Sequence, residues 1–98
     1  MSEKSYDHKD LFGNLIKRNV KGDYHNANGP AIVTLCGTHY WYYAGLLHRT
    51  DGPAISYSHG EKRWFIMGRR FDNKTDFFES LTEEEKAVAI FSEDFINS

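Results

Sequence analysis

Residues 48–68 read HRTDGPAISYSHGEKRWFIMG, and this stretch decides the fold. Residues 25–45, HNANGPAIVTLCGTHYWYYAG, carry the same landmarks in the same order 23 positions earlier. Seven of the eight glycines, from position 22 to position 68, follow one another at spacings of 7, 8, 8, 7, 8 and 8 residues. The 23-residue period is therefore traversed twice, and a period of about 20 to 50 residues is typical of stacked supersecondary units.

Several residues besides the glycines keep this register, and we expect them to stabilise the repeat. An imidazole at each link between hairpins is expected to hydrogen-bond the backbone and to stack on an aromatic ring of the next unit. An aspartate before glycine in a turn usually accepts a hydrogen bond from the backbone two residues further on. The positions given a structural role are His25, Gly29, Pro30, Trp41, His48, Asp51, Gly52, Pro53 and Trp64.

Each unit has the signals of a β-hairpin. Gly-Pro-Ala begins an extended run, because proline lacks an N–H and suits the first residue of a strand. A turn glycine separates this run from an aromatic one, and such glycines supply positive-φ positions. Residues 15–68 are thus predicted to form an antiparallel β-meander of about four or five strands.

The chain after Gly68 carries helix signals instead. Thr82 and Glu85 fit a capping box, and Thr75 is the expected cap of a shorter turn with two phenylalanines. Apolar residues at helical spacing predict one buried stripe, formed by Val88, Phe91 and Phe95.

The predicted fold class is α+β, mostly β with a C-terminal helix that covers one face of the sheet. A single sheet with both faces bare is not stable in water, so the tail is its natural cover. Residues 1–98 are expected to form one domain, with an N-terminal polar segment (1–14), hairpin repeats (15–68) and a helical tail (72–98).

Composition bounds the class of protein. The net charge is −2, with 12 basic and 14 acidic residues, so direct nucleic-acid binding is not expected. One cysteine, Cys36, precludes an internal disulfide and favours a reducing compartment. No run approaches the roughly 20 apolar residues of a membrane span. We therefore expect a cytoplasmic protein.

The pattern G-x-x-H-R-x-D-G-P-A, then G-x-x-x-W-Y/F-x-x-G and an LTEEE-type tail, resembles the MORN-like repeat proteins common in bacteriophage and large-virus genomes. The resemblance covers residues 18–85. It weakens where Asn26 and Asn28 replace Arg and Asp, and it fades at Phe71 and Asp72. It implies stacked hairpins with a binding or scaffolding role, and the cytoplasm in question would be that of a host. The residues that carry it are His48, Arg49, Asp51, Gly52, Pro53, Ala54, Gly60, Trp64, Phe65 and Gly68.

The sequence offers no catalytic motif. It contains no nucleophile elbow, Walker loop, zincin helix or dinucleotide fingerprint. Cys36 has no basic sequence neighbour to activate it, and with His39 it supplies only two metal ligands. We therefore expect a protein that is not an enzyme and uses no cofactor or metal.

The aromatic run HYWYY is the sharpest candidate for function. Alternation along the strand makes both faces of the sheet apolar, and one helix covers only one face. The other face is expected to bind a partner, although rings that merely pack on neighbouring strands would explain it equally well. The preferred function is a small, phage-type protein that binds and inhibits a host protein or defence complex. Its expected partner-binding residues are Tyr40, Tyr42, Tyr43, Arg63 and Phe65.

The alternative is a small-ligand binder that sequesters a nucleotide signal. Aromatic faces stack on bases, and arginine side chains hold phosphates. A thin core, open strand edges and a spare aromatic face also predict a homodimer under either hypothesis. The ligand-binding residues of this alternative are Arg49, Arg63, Arg69 and Arg70.

Overall fold

The computed structural model describes residues 8–98, which form a mostly antiparallel β-sheet followed by short helices. The α+β class expected from the sequence is thus present. The strands are short because glycine and proline turns interrupt the chain every few residues. They are β1 His8–Lys9, β2 Leu15–Ile16, β3 Ile32–Val33, β4 His39–Tyr40, β5 Tyr42–Tyr43, β6 Leu46–Leu47, β7 Ile55–Ser56, β8 Lys62–Ile66 and β9 Arg69–Phe71; the helices are α1 Lys74–Glu79, α2 Glu83–Ala89 and α3 Glu93–Ile96.

The main sheet has seven antiparallel strands in the order β1-β2-β3-β4-β7-β8-β9. β5 and β6 pair only with each other, between β4 and β7 in the chain, so a separate hairpin interrupts the meander predicted from the sequence. The sheet also exceeds the predicted bounds of 15–68, because β1 lies within the N-terminal polar segment and β9 follows Gly68. The rest of that segment, residues 1–7, lies outside the described residues.

Two chain reversals, 23 residues apart, share one backbone conformation. Ala44 and Met67 have φ of 50° and 48°, and the glycines that follow, Gly45 and Gly68, have φ of 85° and 84°. Two consecutive positive-φ residues form the turn that matches the twist of a tight β-hairpin. Glycine meets this requirement at the second position without strain.

The two faces of the sheet differ in what covers them. Trp64 and Phe65 are neighbours in β8 and therefore point to opposite sides. Trp64 packs against the helices. Tyr40 and Arg63 both pair with Ile55, from opposite sides of β7, so these three residues lie on the side of Phe65. We call the side of Trp64 the helix face and the side of Tyr40 the tyrosine face.

The first two helices begin at side-chain caps, whereas Ser92 at the start of α3 makes no side-chain cap hydrogen bond. The capping box at α2 is confirmed, since Glu85 N–H donates to Thr82 Oγ1 at 3.1 Å and Thr82 N–H donates to Glu85 Oε1 at 2.9 Å. The cap of α1 is Asn73, whose Oδ1 accepts from Asp76 N–H at 2.8 Å. The expectation that Thr75 caps this helix is wrong, because an asparagine two residues earlier takes the position.

The core lies between the C-terminal strands and the tail, where large aromatic side chains are packed in contact with one another. Phe77 is fully buried, with its ring centroid 4.8 Å from that of Trp64 and 6.1 Å from that of Phe71. Ile66, Phe78 and Phe95 pack against the same cluster. Its members are Trp64, Phe71, Phe77, Leu81 and Ala89.

The predicted apolar stripe of the tail is wrong. Val88 is 61% exposed and Phe91 is 82% exposed, whereas Ala89 is buried. The reason is that α2 ends at Ala89 and α3 begins four residues later, so no continuous helix carries the period past this point. Phe95 alone of the stripe reaches the core, from α3. Within residues 8–98, no helix has the length and apolar character needed to cross a bilayer.

Candidate binding sites

Arg49 lies at the centre of the contacts that hold the tail against the sheet. Its side chain is only 7% exposed. Its Nε donates to Asp51 Oδ1 at 2.8 Å, and its two Nη atoms donate to the Pro53 carbonyl at 3.3 Å and to Asp94 Oδ2 at 2.7 Å. The guanidinium carbon lies 3.7 Å from the ring centroid of Trp41. Two carboxylates and a ring compensate this buried charge, so the donors of the side chain are engaged in internal contacts.

Gly52 is required for space and not for a positive φ. A Cβ atom at Gly52 would lie 2.7 Å from Cζ of Arg49, well inside contact distance. The expectation that turn glycines supply positive φ holds at six glycines of the described chain, but it is wrong at Gly29 and Gly52. The expectation for Asp51 is also wrong, because its carboxylate accepts from Arg49 and not from the backbone two residues on.

The same loop occurs 23 residues earlier with an amide in place of the guanidinium. We call residues 26–30 the first loop and residues 49–53 the second loop. Asn26 Nδ2 donates to the Pro30 carbonyl at 3.1 Å, as Arg49 donates to the carbonyl of the second loop's proline. Asn26 Oδ1 accepts from Asn28 N–H at 3.0 Å. A Cβ atom at Gly29 would lie 3.3 Å from Asn26 Nδ2, a much milder contact than the one at Gly52.

The two aligned histidines each tie a loop to the next reversal. The Nδ1 atom of His25 accepts from Ala44 N–H, and that of His48 accepts from Met67 N–H, both at 2.9 Å. The ring of Tyr43 lies between them, 4.6 Å from His25 and 5.9 Å from His48 in edge contacts. The backbone hydrogen bonds predicted for both residues are therefore confirmed. The predicted stacking on a ring of the next unit is wrong for His48, because its ring contact is edge-on with Tyr43, which precedes it in the chain.

A cleft of about 390 Å³ lies between the first and second loops, and we call it the open cleft. This volume falls within the range of small-ligand and side-chain sites. Burial lowers the pKa of His48, although the nearby carboxylate of Glu85 opposes the shift, so the imidazole at the cleft wall favours its neutral form. The wall combines aromatic rings with amide, hydroxyl and charged groups. Its residues are Asn26, Ala27, Asn28, Trp41, Tyr43, His48, Arg49, Thr50 and Asp51.

Three tyrosines cluster on the tyrosine face. The ring centroids of Tyr24 and Tyr42 are 5.3 Å apart, and Tyr40 and Tyr42 alternate to the same side of the chain. Burial raises the pKa of Tyr42, and the phenols of Tyr24 and Tyr40 raise it further because they lie close by. Tyr24 could not be predicted as a member of this cluster from the repeat, because the corresponding position in the next unit holds Leu47.

The other expected partner-binding residues do not all join this cluster. Arg63 lies on the tyrosine face, forms an ion pair with Glu61, and has its guanidinium carbon 5.7 Å from the Tyr57 ring. Phe65 lies on the same face, half-buried. Tyr43, however, lines the open cleft on the helix side. The five candidates therefore belong to two surfaces.

The remaining arginines of the nucleotide hypothesis, Arg69 and Arg70, line a separate cleft of about 410 Å³. Three carboxylates, those of Asp72, Asp76 and Glu79, line it as well. A phosphate there would meet like charges as well as opposite ones, which weakens binding.

Cys36 lies in a cluster of hydroxyl groups that sequence proximity only partly reveals. Its Sγ is 3.2 Å from Thr34 Oγ1 and 3.8 Å from both Ser58 Oγ and Thr38 Oγ1. Hydrogen bonds from Thr34, then Ser58, then Thr38 lower the pKa of this exposed thiol to about 7. The absence of a basic sequence neighbour was thus an incomplete guide to its ionisation, since Ser58 lies 22 residues away.

Among residues 8–98, no three His, Cys, Asp or Glu side chains lie close enough together to hold a metal ion. Comparison with protein-family models, with curated proteins and with solved structures gave no match. The surfaces described above are therefore the basis on which a function can be proposed.

Proposed function

We propose that this protein is a non-enzymatic binding module that docks on a host protein through its tyrosine face and inhibits it. The phage-type resemblance supports a host target and a host-cytoplasmic location. The observation that carries the proposal is the cluster of Tyr24, Tyr40 and Tyr42 on the face opposite the helices. Tyrosine combines a large apolar ring with a hydroxyl and is enriched where binding energy concentrates in interfaces.

Charge on this face fits the same role. Arg18 lies over the Tyr24 ring, with its guanidinium carbon 4.8 Å from the centroid, and Arg63 lies beside Tyr57. Arginine and tyrosine together are typical of interface hot spots. The proposed contact surface is therefore aromatic at its centre and polar at its edge, as in transient protein interfaces.

We further propose that the sheet is built from 23-residue hairpin units of the MORN-like type, with one face covered by the tail. The support is geometric. The two loops hydrogen-bond in the same way, the two histidines accept from equivalent N–H groups, and the two reversals share their dihedral angles. Such units present repeated side chains along one surface, which suits binding more than catalysis.

The nucleotide alternative has weaker support. Its four arginines do not converge, because Arg49 is buried against two carboxylates and Arg63 pairs with Glu61. The other two share a cleft with three carboxylates.

Affinity capture with matched variants tests the proposal. The wild-type chain, Tyr42→Ala and Phe91→Ala are each immobilised and exposed to lysate of a susceptible host, and bound proteins are identified by mass spectrometry. We expect one host protein to be captured by the wild type and by Phe91→Ala, whose ring is exposed on the tail, but not by Tyr42→Ala. Circular dichroism checks that each variant is folded.

A purified target should then lose affinity by a factor of about 30 or more on Tyr42→Ala, as expected for a hot spot. Capture that is unchanged by Tyr42→Ala and Tyr40→Ala would contradict docking through this face. Light scattering on the wild type tests the homodimer, which stays a prediction.

A further inference from the structure

The open cleft has a counterpart 23 residues further along the chain. Its wall residues Trp41, Tyr43 and His48 correspond in register to Trp64, Ile66 and Phe71. In the second position these residues are not exposed to a cleft, because they belong to the core or pack against it. The tail thus fills the framework at the second position. At the first position, the Arg49 guanidinium covers the Trp41 ring and a cleft remains beside it.

The tail of the chain fills the second position. Phe77 packs against Trp64 at a tilt of 41°, with ring centroids 4.8 Å apart, and Phe95 contacts Trp64 edge-on at 6.1 Å. Two separate short helices, α1 and α3, carry these rings, so the filled groove holds helical segments with aromatic anchors. Helix-in-groove docking of this kind is a common mode of peptide recognition.

Two polar contacts fix the tail to the second loop. Ser92 Oγ donates to the Asp51 carbonyl at 2.7 Å, and Asp94 accepts from Arg49 at 2.7 Å. The carbonyl that corresponds to Asp51 in the first loop is that of Asn28. Within residues 8–98 it accepts no hydrogen bond, so the equivalent contact is available.

We propose that the open cleft is a docking site for a short helical segment of a partner protein, with an aromatic anchor against Tyr43 and the part of Trp41 that Arg49 leaves uncovered. A hydroxyl or amide of that segment donates to the Asn28 carbonyl, in the role that Ser92 has in the tail. The anchor carries a polar edge, as tyrosine does, because Tyr43 and His48 replace the apolar Ile66 and Phe71 of the filled position.

The first loop also sets the charge of the partner. Asn26 replaces Arg49, so a carboxylate at the position of Asp94 would find no guanidinium of the first loop to pair with. Arg49 also lines the cleft, but it is already paired with Asp51 and Asp94, so a neutral side chain is preferred at that position. A second copy's tail is a poor occupant for this reason, and because that tail is already held in its own groove at high effective concentration.

A peptide with the tail's own sequence, residues 72–98, is the probe, used with and without Asp94→Asn. It is titrated into the isotope-labelled full-length protein and followed by NMR, because isolated short helices are marginal and such binding is weak. We expect resonances of Trp41, Tyr43 and His48 to shift while those of Trp64 and Phe77 stay in place. The Asp94→Asn peptide binds the wild-type protein more tightly than the unchanged peptide.

A protein variant reverses this preference. Asn26→Arg with Asn28→Asp rebuilds the arginine–aspartate pair in the first loop, where Gly29 already leaves room beside residue 26. We expect it to bind the unchanged peptide roughly tenfold or more tightly than the wild type does, since a charge-assisted hydrogen bond is restored. In the peptide, Phe77→Ala weakens binding, whereas Phe91→Ala, at a position exposed in the tail, does not.

The proposal would be overturned if no resonance shifts at about 1 mM peptide, since a dissociation constant above this value is too weak to matter. It would also be overturned by shifts confined to Trp64 and Phe77, which indicate exchange with the resident tail. A double variant that binds the unchanged peptide no more tightly than the wild type does would overturn it as well. Tyr40→Ala leaves this binding unchanged, since Tyr40 lies on the tyrosine face. The docking of a helix in the open cleft and the proposed function can therefore fail independently.

Discussion

The first and second loops show how one framework is fastened in two ways. Both loops direct a side-chain N–H to the carbonyl of their proline. In the first loop a small amide does so and leaves a cleft beside it. In the second loop a guanidinium does so, and its remaining donors reach Asp51 and, 45 residues away, Asp94 in α3. The extra reach of arginine turns a local turn contact into an attachment for the tail.

The two aligned tryptophans give the largest expected difference. Trp64 is 6% exposed and packed against Phe77, whereas Trp41 is half-buried beneath Arg49. We expect Trp64→Ala to lower the free energy of unfolding by about 4 kcal/mol and Trp41→Ala by about 2 kcal/mol, since the cost follows the burial that is lost. Urea denaturation measures both. If Trp64→Ala does not fold, Trp64→Phe and Trp41→Phe are compared instead, and Trp64→Phe should again lose more free energy of unfolding. Equal losses of free energy in the two variants would contradict this comparison.

The side chains at the head of each loop come next. Arg49→Ala removes the ion pair with Asp94 that holds the tail and leaves two carboxylates without their partner. We therefore expect the free energy of unfolding to fall by about 2–3 kcal/mol. Asn26→Ala removes a neutral hydrogen bond and should cost about 1 kcal/mol. Arg70→Ala, on the exposed surface, is the control and should change stability by less than about 0.5 kcal/mol. A cost for Asn26→Ala that equals that of Arg49→Ala would argue against the attachment role.

The loop glycines sharpen the comparison at the level of single atoms. A methyl group at Gly52 meets Arg49 Cζ at 2.7 Å, whereas at Gly29 its nearest neighbour is Asn26 Nδ2 at 3.3 Å. Gly52→Ala should therefore cost about 2 kcal/mol through overpacking, and Gly29→Ala less than about 1 kcal/mol. Thermal melts of the two variants check this. In an Arg49→Ala background the cost of Gly52→Ala should fall, and its persistence there would contradict the steric reason.

The smallest expected effect is the dependence of stability on pH through His48. Burial lowers the pKa of His48 below the ordinary 6.5 in the folded state, against an opposing effect of Glu85. The unfolded chain then binds the proton more readily. The contribution of His48 is thus complete above pH 6.5 and is lost as the pH falls through the lowered folded-state pKa. Protonation of Nδ1 would also break its hydrogen bond from Met67 N–H.

Denaturation midpoints between pH 7 and pH 5 measure this loss, compared between the wild type and His48→Asn. We expect the dependence to weaken in His48→Asn and to persist in His59→Asn, because His59 is exposed and stacks on Tyr57. An unchanged dependence in His48→Asn would assign it to other groups.

Local features of the fold could be predicted from the sequence because their causes are local. The two reversals at Gly45 and Gly68 and the Thr82–Glu85 box each depend on a few adjacent residues. The backbone hydrogen bonds of His25 and His48 could be predicted because both residues recur at the 23-residue period. The burial of Arg49 could not be predicted, because its partner Asp94 lies 45 residues away and no pattern links the two.

The errors have the same origin. The stripe of Val88, Phe91 and Phe95 assumed an uninterrupted helix, but the chain turns after Ala89, and Phe77 from an earlier helix fills the core. The glycine period suggested that every turn glycine is needed for a positive φ, yet Gly52 is needed because the side chain of Arg49 passes beside it. Tyr43 lies in the open cleft, whereas Tyr40 and Tyr42 lie on the tyrosine face. This division depends on the register of the sheet, which is set by contacts between strands that are distant in sequence.

The central claim is that the tail packs against Trp64 and leaves the open cleft beside Trp41 and Tyr43 unfilled. Nuclear Overhauser effects from the two indole rings of the full-length protein test it most directly. The account predicts cross-peaks from Trp64 to the rings of Phe77 and Phe95, which lie 4.8 and 6.1 Å away between centroids, and from Trp41 to the Arg49 side chain. Cross-peaks from the tail phenylalanines to Trp41 or Tyr43 would contradict it, because the tail would then occupy the cleft described here as open.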